Sequence, residues 1–345
     1  MSKKSRALII GDAHLKISNI DVARDFISQS LDLIRAGKYD KVILLGDQYD
    51  SFAIIRSEIQ SLWTSFFTSA IQYTNVIALV GNHDLSGVDG GTNPMEPFKA
   101  YPRVKIVDEP QQMDGIYYAP FMRDNAAFEA YCRSIPAGSV LICHQSFNGA
   151  QFENGFYDPH GADPACVAHL SAVISGHVHK RQHFLNIWYP GTPFQHSFGD
   201  AGEKKLIHEV TLEPTGYSAV APLSLNLPTY NTLEAGSLAA LEQDVGQLVA
   251  QASQAQLAAM NLKVIARGTP SEITAFWSSP AVKHLKQDAR RVVDGLTSAR
   301  PTEKLPGMTA KTHKEKLYEF IEYKGKSWRT NWTRVAHRAE ELLAQ

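Results

Sequence analysis

Five short apolar runs recur along the first half of the chain, each closed by glycine or polar residues. They are Ala7–Ile10, Val42–Leu45, Val76–Val80, Val140–Ile142 and Ala172–Ile174. Runs this short, bounded this way, predict buried strands. Between the first two, Ile20–Ala36 sets Val22, Phe26, Ile27, Leu31 and Ile34 at helical spacing, and Gly37 follows as a C-cap. Ser51–Tyr73 reads as a second helical stretch, rich in aromatics. After Lys180 the texture changes, and His183–Trp188 and Lys205–Leu212 predict antiparallel strands. The turn residues Glu213-Pro214-Thr215-Gly216 predict the end of a first domain, residues 1–215.

A smaller α/β unit is expected over residues 217–296. Ser218–Leu225 and Leu262–Ala266 read as its strands, with Ala239–Ala252 as a helix between them. Thr269-Pro270-Ser271-Glu272 has the form of a capping box with proline at the first helical position, so a helix starts there. A basic tail, 302–345, ends with Trp332, Val335, Ala336, Ala339, Leu342 and Leu343 on one helical face.

Composition removes whole classes of function. With 44% hydrophobic and 20% charged residues, the chain is neither disordered nor fibrous. No apolar run reaches the length of a membrane span, and the opening MSKKSRALIIGD is too short for a secretion signal. Cys132, Cys143 and Cys166 form no CxxC pair, which fits core residues in a reducing compartment and a cytoplasmic location. The formal net charge of −1 hides an asymmetry. Through Leu262 there are 18 basic and 26 acidic residues, a net of −8; the remaining 16 basic and 9 acidic residues give +7. Ten of the 13 histidines lie at or before His208. An acidic, histidine-rich region joined to a basic one suggests a metal site beside a module that meets an anion.

The chemistry sits after the strands. Gly11-Asp12-Ala13-His14, Gly46-Asp47-Gln48-Tyr49-Asp50, Gly81-Asn82-His83-Asp84, His144 and Gly176-His177-Val178-His179 follow the five runs in order. Ligands bind at the carboxyl ends of strands in open α/β sheets. One Asp or His there is commonly a helix cap. Five such segments in register predict a metal site, because polar groups converging unpaired would cost several kcal/mol. Imidazole and carboxylate donors without cysteine suit Mn, Fe or Zn in a non-structural site, and a carboxylate such as Asp47 can bridge two ions. Among the other histidines, His160, His169, His183 and His208 are expected to be solvated or hydrogen-bonded, and His196 is the one placed to touch substrate.

The blocks DxH, GDxxD, GNHD, a later histidine and GHxH, intact from Asp12 to His179, resemble the calcineurin-like metallophosphoesterases. The resemblance implies a layered α/β/β/α sandwich with a small α/β cap and a helical C-terminal tail. It implies one divalent ion held by Asp12, His14, Asp47 and His179, and a second by Asp47, Asn82, His144 and His177. His83 would stabilise and protonate the leaving oxygen, Asp84 would orient it, and Asp50 would support the ligands from outside. A first block of DxH and a second ending in aspartate exclude the tyrosine-ligated purple acid phosphatases. GNHD followed by Leu85, without GDxVDRG, argues against Ser/Thr protein phosphatases.

Within that family the chain resembles the SbcD-type DNA nucleases. Trp188-Tyr189-Pro190-Gly191-Thr192-Pro193 stands where those enzymes carry a YPGSP-like segment, and Tyr101-Pro102-Arg103-Val104 and Tyr118-Ala119-Pro120-Phe121 also have counterparts there. After GDxxD, Ser51–Ile55 lacks their usual proline-containing turn. The resemblance implies a Mn²⁺-dependent DNA exonuclease/endonuclease of end processing, repair or recombination, working with an SbcC-type coiled-coil ATPase. It also implies a homodimer, for which Ile54–Tyr73 is the candidate surface. The basic tail would dock on the ATPase or pack on the chain's own cap. Two other readings stay open: a small-molecule phosphatase or cyclic-nucleotide phosphodiesterase, and a scaffold subunit of an ATPase complex.

Overall fold

Burial on both faces accounts for the continuous apolar strands. In Ser5–Ile10, Leu8 and Ile10 pack toward helices on one side while Ala7 and Ile9 pack toward a second sheet on the other. A computed structural model describes residues 4–85, 92–152 and 155–295. The elements in chain order are β1 (Ser5–Ile10), α1 (Ile20–Gly37), β2 (Lys41–Leu44), α2 (Ser57–Ala70), β3 (Asn75–Leu79), β4 (Val104–Val107), β5 (Gln111–Met113), β6 (Ile116–Ala119), α3 (Asn125–Ser134), β7 (Val140–Cys143), β8 (Ala172–Ser175), β9 (Gln182–Phe184), β10 (Ile187–Tyr189), β11 (Ile207–Glu213) and β12 (Gly216–Leu223). Beyond these lie β13 (Thr229–Glu234), α4 (Leu238–Gln251), α5 (Gln254–Ala258), β14 (Met260–Ile265), α6 (Pro270–Ser278), α7 (Pro280–Asp288) and β15 (Arg291–Asp294).

Two six-stranded mixed sheets face each other, ordered β12-β11-β1-β2-β3-β4 and β5-β6-β7-β8-β10-β9. Ile43, Leu79, Tyr118, Ile142, Ile174 and Trp188 fill the space between them. Helices α1 and α2 cover the first sheet, and α3 packs on the second. This is the α/β/β/α sandwich expected from the sequence. Cys132, Cys143 and Cys166 are free and buried on the outer side of the second sheet.

Four local expectations need correction. The helix of Ser51–Tyr73 begins only at Ser57, and the segment before it exposes Phe52, Ile54 and Ile55. Trp63, Phe66 and Phe67 of α2 are fully buried, each worth about 2 kcal/mol of burial, so these rings offer no surface for self-association. His183–Trp188 is not one strand but a hairpin, β9 and β10, turning at Leu185 with φ 52°. The Glu213–Gly216 turn does not end the sandwich. It joins β11 to β12, which pairs antiparallel as the edge of the first sheet, so residues 216–223 belong there.

Past β12, β13, β14 and β15 form a separate three-stranded parallel sheet in that order. Leu262 and Val264 pack under Leu241, Val245, Phe276, Val282 and Leu285 of the helices. The Thr269 capping box is present: its side chain accepts from the Glu272 amide, while the Glu272 carboxylate accepts from the Thr269 amide at 2.8 Å. Among the described residues no helix is long and apolar enough to cross a membrane. The tail expected at 302–345 lies outside the described residues.

Candidate metal centre

The site residues leave the strand ends through tight backbone turns. His14, Asp47 and His177 have φ of 41°, 51° and 74°, a left-handed geometry that L-residues adopt at a cost of roughly 1 kcal/mol or more. Main-chain bonds secure the first pair of loops: the His14 amide donates to the Asp47 carbonyl at 2.9 Å, and the Leu15 amide to Gln48 at 3.0 Å. Glycine is required beside them. A Cβ on Gly46 would lie 2.2 Å from His144 Nδ1, and one on Gly81 would lie 2.1 Å from Asp47 Oδ1.

These turns bring the seven expected ligands together. His14 Nε2 lies 3.0 Å from His179 Nε2, and His179 Nε2 lies 3.9 Å from Asp12 Oδ2. Asp47 Oδ2 is 3.4 Å from His14 Nε2 and 3.5 Å from His144 Nε2. Asn82 Oδ1 is 3.0 Å from His144 Nε2 and 2.7 Å from His177 Nδ1. Three overlapping groups, Asp12/His14/His179, His14/Asp47/His83 and Asp47/His144/His177, each gather their ligand atoms within 4.8 Å. Oxygen and imidazole donors without a thiolate fit divalent metal ions.

Hydrogen bonds outside the cluster set the imidazole tautomers. A carbonyl oxygen only accepts, so His144 Nδ1, 2.7 Å from Leu45 O, carries hydrogen and turns the Nε2 lone pair inward. The carboxylates are also anchored to the main chain. Asp12 Oδ2 accepts from the His177 amide, and Asp47 Oδ1 from the His83 amide, both at 2.8 Å.

Electrostatics hold Asp47, His14 and His177 in the forms that ligate cations, whereas His144 would give up a proton to an incoming ion. Burial would push the Asp47 carboxyl up, but His144, His14 and His83 around it outweigh that and hold it well below the usual carboxylate range. Burial raises Asp12 to about 6. Burial drives His14 well below its ordinary value, and burial with the nearby His144 lowers His177 to about 4, so both imidazoles stay neutral. His144 rises to about 9, because Asp47 and Asp12 overcome its burial.

Of the three other expected residues, Asp84 and Asp50 make contacts that differ from the sequence reading. The Asp84 carboxylate does not reach the His83 ring. Its oxygens accept main-chain amides of Gly81 at 3.0 Å, Tyr49 at 3.1 Å and Gln48 at 3.3 Å, tying the GNHD loop to the GDxxD loop. His83 Nδ1 instead lies 2.7 Å from the carbonyl oxygen of Asp50. The Asp50 side chain turns away to Lys16 at 2.7 Å, so its main chain, not its carboxylate, supports the site. His83 itself stands edge-on to His14, with ring centroids 4.6 Å apart.

Further groups complete the surroundings. The His196 ring lies 5.6 Å from His14 and 6.0 Å from His179, with Nε2 3.3 Å from the Asp12 carbonyl. Phe121 stacks on His177 at 5.7 Å. Lys205 is buried, bridging Asp200 at 2.7 Å, Glu203 at 2.8 Å and the His179 carbonyl at 3.1 Å. Lys205 carries no motif, and only folding brings it to the site, whereas Phe121 ends the Tyr118-Ala119-Pro120-Phe121 segment picked out in the sequence. His208, expected to be solvated or hydrogen-bonded, is buried with Nδ1 unpartnered.

The profile of the calcineurin-like phosphoesterase family matches residues 5–181, half of the chain and all five strand-end blocks. The chain belongs to this family. As a calcineurin-like phosphoesterase it is a metal-dependent hydrolase. Its relatives include protein 078R of Invertebrate iridescent virus 3, named as a phosphoesterase, at 26% identity over 58% of this chain and 60% of that protein. Protein 244L of Invertebrate iridescent virus 6, also named as a phosphoesterase, is 22% identical over 80% of this chain and 99% of that one. Exonuclease subunit 1 of Enterobacteria phage T4 is 27% identical over 58% of this phosphoesterase and 62% of the phage protein. The chain thus spans about 60% of the length of two of these three relatives. Among solved structures, Pseudomonas putida nuclease MPE aligns with a TM-score of 0.30 and 14% identity over 63% of this chain and 87% of that one.

Proposed function

We propose that the chain is a two-metal phosphodiesterase acting on DNA, a nuclease of the SbcD type. The observation that carries the two-metal reading is Asp47, whose single oxygen Oδ2 stands 3.4 Å from His14 Nε2 and 3.5 Å from His144 Nε2. Two donor sets therefore meet at one carboxylate. Asp12, His14, Asp47 and His179 would hold one ion; Asp47, Asn82, His144 and His177 would hold the other, with Mn²⁺ first and Fe²⁺ or Zn²⁺ served by the same donors. When bound, such a pair supplies an activated water and charge stabilisation at the phosphoryl group. His83, its Nδ1–H fixed on the Asp50 carbonyl, presents Nε2 to protonate the leaving oxygen. Asp84 holds the loop that carries His83, and Phe121 braces His177.

DNA as substrate is supported by the phage relative named an exonuclease subunit and by the net of +7 after Leu262, which suits phosphate contacts. No base-reading motif is present, so selectivity would be for DNA structure rather than sequence. An SbcC-type ATPase partner, contacted through residues 302–345, and homodimerisation complete the proposal. The test is hydrolysis of end-labelled duplex with Mn²⁺, beside a bis(4-nitrophenyl) phosphate control. Degradation by the wild type, lost in His83→Ala and Asp47→Asn, is expected. Intact DNA with rapid turnover of the small diester would establish the small-molecule reading instead, and inactivity on both would leave the scaffold.

A further inference from the structure

The chain leaving β7 past His144 turns back in a short hairpin, with Gln151 and Tyr157 paired across it. Two residues fasten its base. Gln151 donates its amide to Gln182 Oε1 at 2.9 Å, and its carbonyl accepts from Gln182 Nε2 at 2.7 Å. Its side chain accepts from Lys180 Nζ at 2.6 Å and donates to the Gly155 carbonyl at 3.0 Å. Asp158 donates its amide to the Ala150 carbonyl at 2.8 Å, and its carboxylate accepts from Ser146 Oγ and the His160 amide. Ser146 is two residues past His144, and Lys180 adjoins His179, so both anchors sit on loops that carry expected ligands.

A hairpin held this firmly still turns two large rings into water: Phe156 is 72% exposed and Tyr157 66%. Adjacent exposed rings on an anchored loop mark a contact surface. The charge beside them says for what. Lys180 donates to a neutral amide oxygen, and neither it nor the exposed Arg181 makes an ion pair among the described residues. Asp158, the acid at the hairpin's base, is buried and hydrogen-bonded through both oxygens. Aromatic faces beside uncompensated cations suit a polyanionic strand whose bases are unstacked. A duplex hides those faces everywhere but at its ends.

We infer that Phe156 and Tyr157 form a stacking platform for the bases of an unpaired DNA strand, with Lys180 holding one of its phosphates. The inference rests on DNA as the substrate and adds that the strand passes the His144 side of the centre with its bases unpaired. Binding can be read without turnover.

The experiment is fluorescence anisotropy of the full chain in EDTA with labelled oligothymidylate and with a blunt duplex of the same length. The double variant Phe156→Ser, Tyr157→Ser should bind oligothymidylate roughly 30-fold or more weakly and the duplex less than about threefold more weakly. Phe156→Trp with Tyr157→Trp should restore single-strand binding, and the added indole fluorescence should be quenched by the oligonucleotide. Lys180→Gln should lower the salt dependence of single-strand binding by about one ion. An unchanged urea-unfolding midpoint in the serine variant shows that the fold is intact. Wild type that does not bind oligothymidylate, serine variants that bind it equally well, or equal losses on strand and duplex overturn the inference. If the rings bind the strand but Mn²⁺ brings no cleavage, the nuclease reading fails and the platform stands; cleavage with unchanged binding in the serine variant fails the platform alone.

Discussion

His83 and Asp50 meet through a side chain and a main-chain carbonyl, with Nδ1 of the imidazole 2.7 Å from the Asp50 oxygen. The contact survives any change of the Asp50 side chain that keeps the backbone in place. Asp50→Asn should therefore lower kcat on bis(4-nitrophenyl) phosphate by no more than about threefold, whereas His83→Ala should lower it by roughly 10²–10⁴. Equal losses in the two variants would show that the Asp50 carboxylate matters in its own right.

Asp84 is fully buried, and both of its oxygens accept main-chain amides from two loops. Burial, followed by the charge of Asp47, raises its carboxyl to about 7, so the amides hold a group that burial opposes. Asparagine is no substitute, because its NH₂ would face an amide hydrogen. Both Asp84→Asn and Asp84→Ala should lose about 2–4 kcal/mol in urea unfolding, with activity falling alongside as the loops separate. Wild-type stability in the asparagine variant would contradict this.

The five strand-end blocks made the metal cluster legible in the sequence, because strand ends in such sheets converge whatever the loops contain. Contacts that depend on side-chain direction were not legible. Asp84 follows His83 in the chain yet points to Gly81, Gln48 and Tyr49. The aromatic stretch after Ser51 carried no sign that Trp63, Phe66 and Phe67 face inward, since surface and core helices share the same periodicity. The Pro214–Thr215 turn looked like a boundary because a hairpin and a linker use the same residues.

Gln195 connects the centre to the small parallel sheet. Its Nε2 donates to the carbonyls of Asp200 and Glu203, both at 2.8 Å, and its Oε1 accepts from the Tyr230 amide in β13. Asp200 and Glu203 also hold Lys205, whose ammonium donates to the His179 carbonyl. Gln195→Leu should speed proteolytic cleavage in the 224–228 connection several-fold with little effect on small-diester turnover. Lys205→Met should weaken metal binding, read by calorimetry, by about tenfold, the size typical of outer-shell losses. Lys205→Arg should recover part of it. Equal metal affinity in wild type and Lys205→Met would separate this network from the centre.

His208 links stability to pH. Burial, then the charges of Arg181 and His183 facing it from the neighbouring sheet, lowers its pKa to about 4. Trp188 packs against the ring edge-on and brings no acid. The folded protein therefore keeps this imidazole neutral, while the unfolded chain takes up a proton below the ordinary value of about 6.5. The stability it permits is fully present above that value and is lost as pH falls toward 4. Between about pH 7.5 and pH 5 the loss traceable to His208 should be about 2 kcal/mol. His208→Leu removes the titrating group, so its urea-unfolding free energy should fall less than the wild type's over that interval, by about this amount. Parallel pH profiles for the two proteins would mean that His208 is protonated as easily in the fold as outside it.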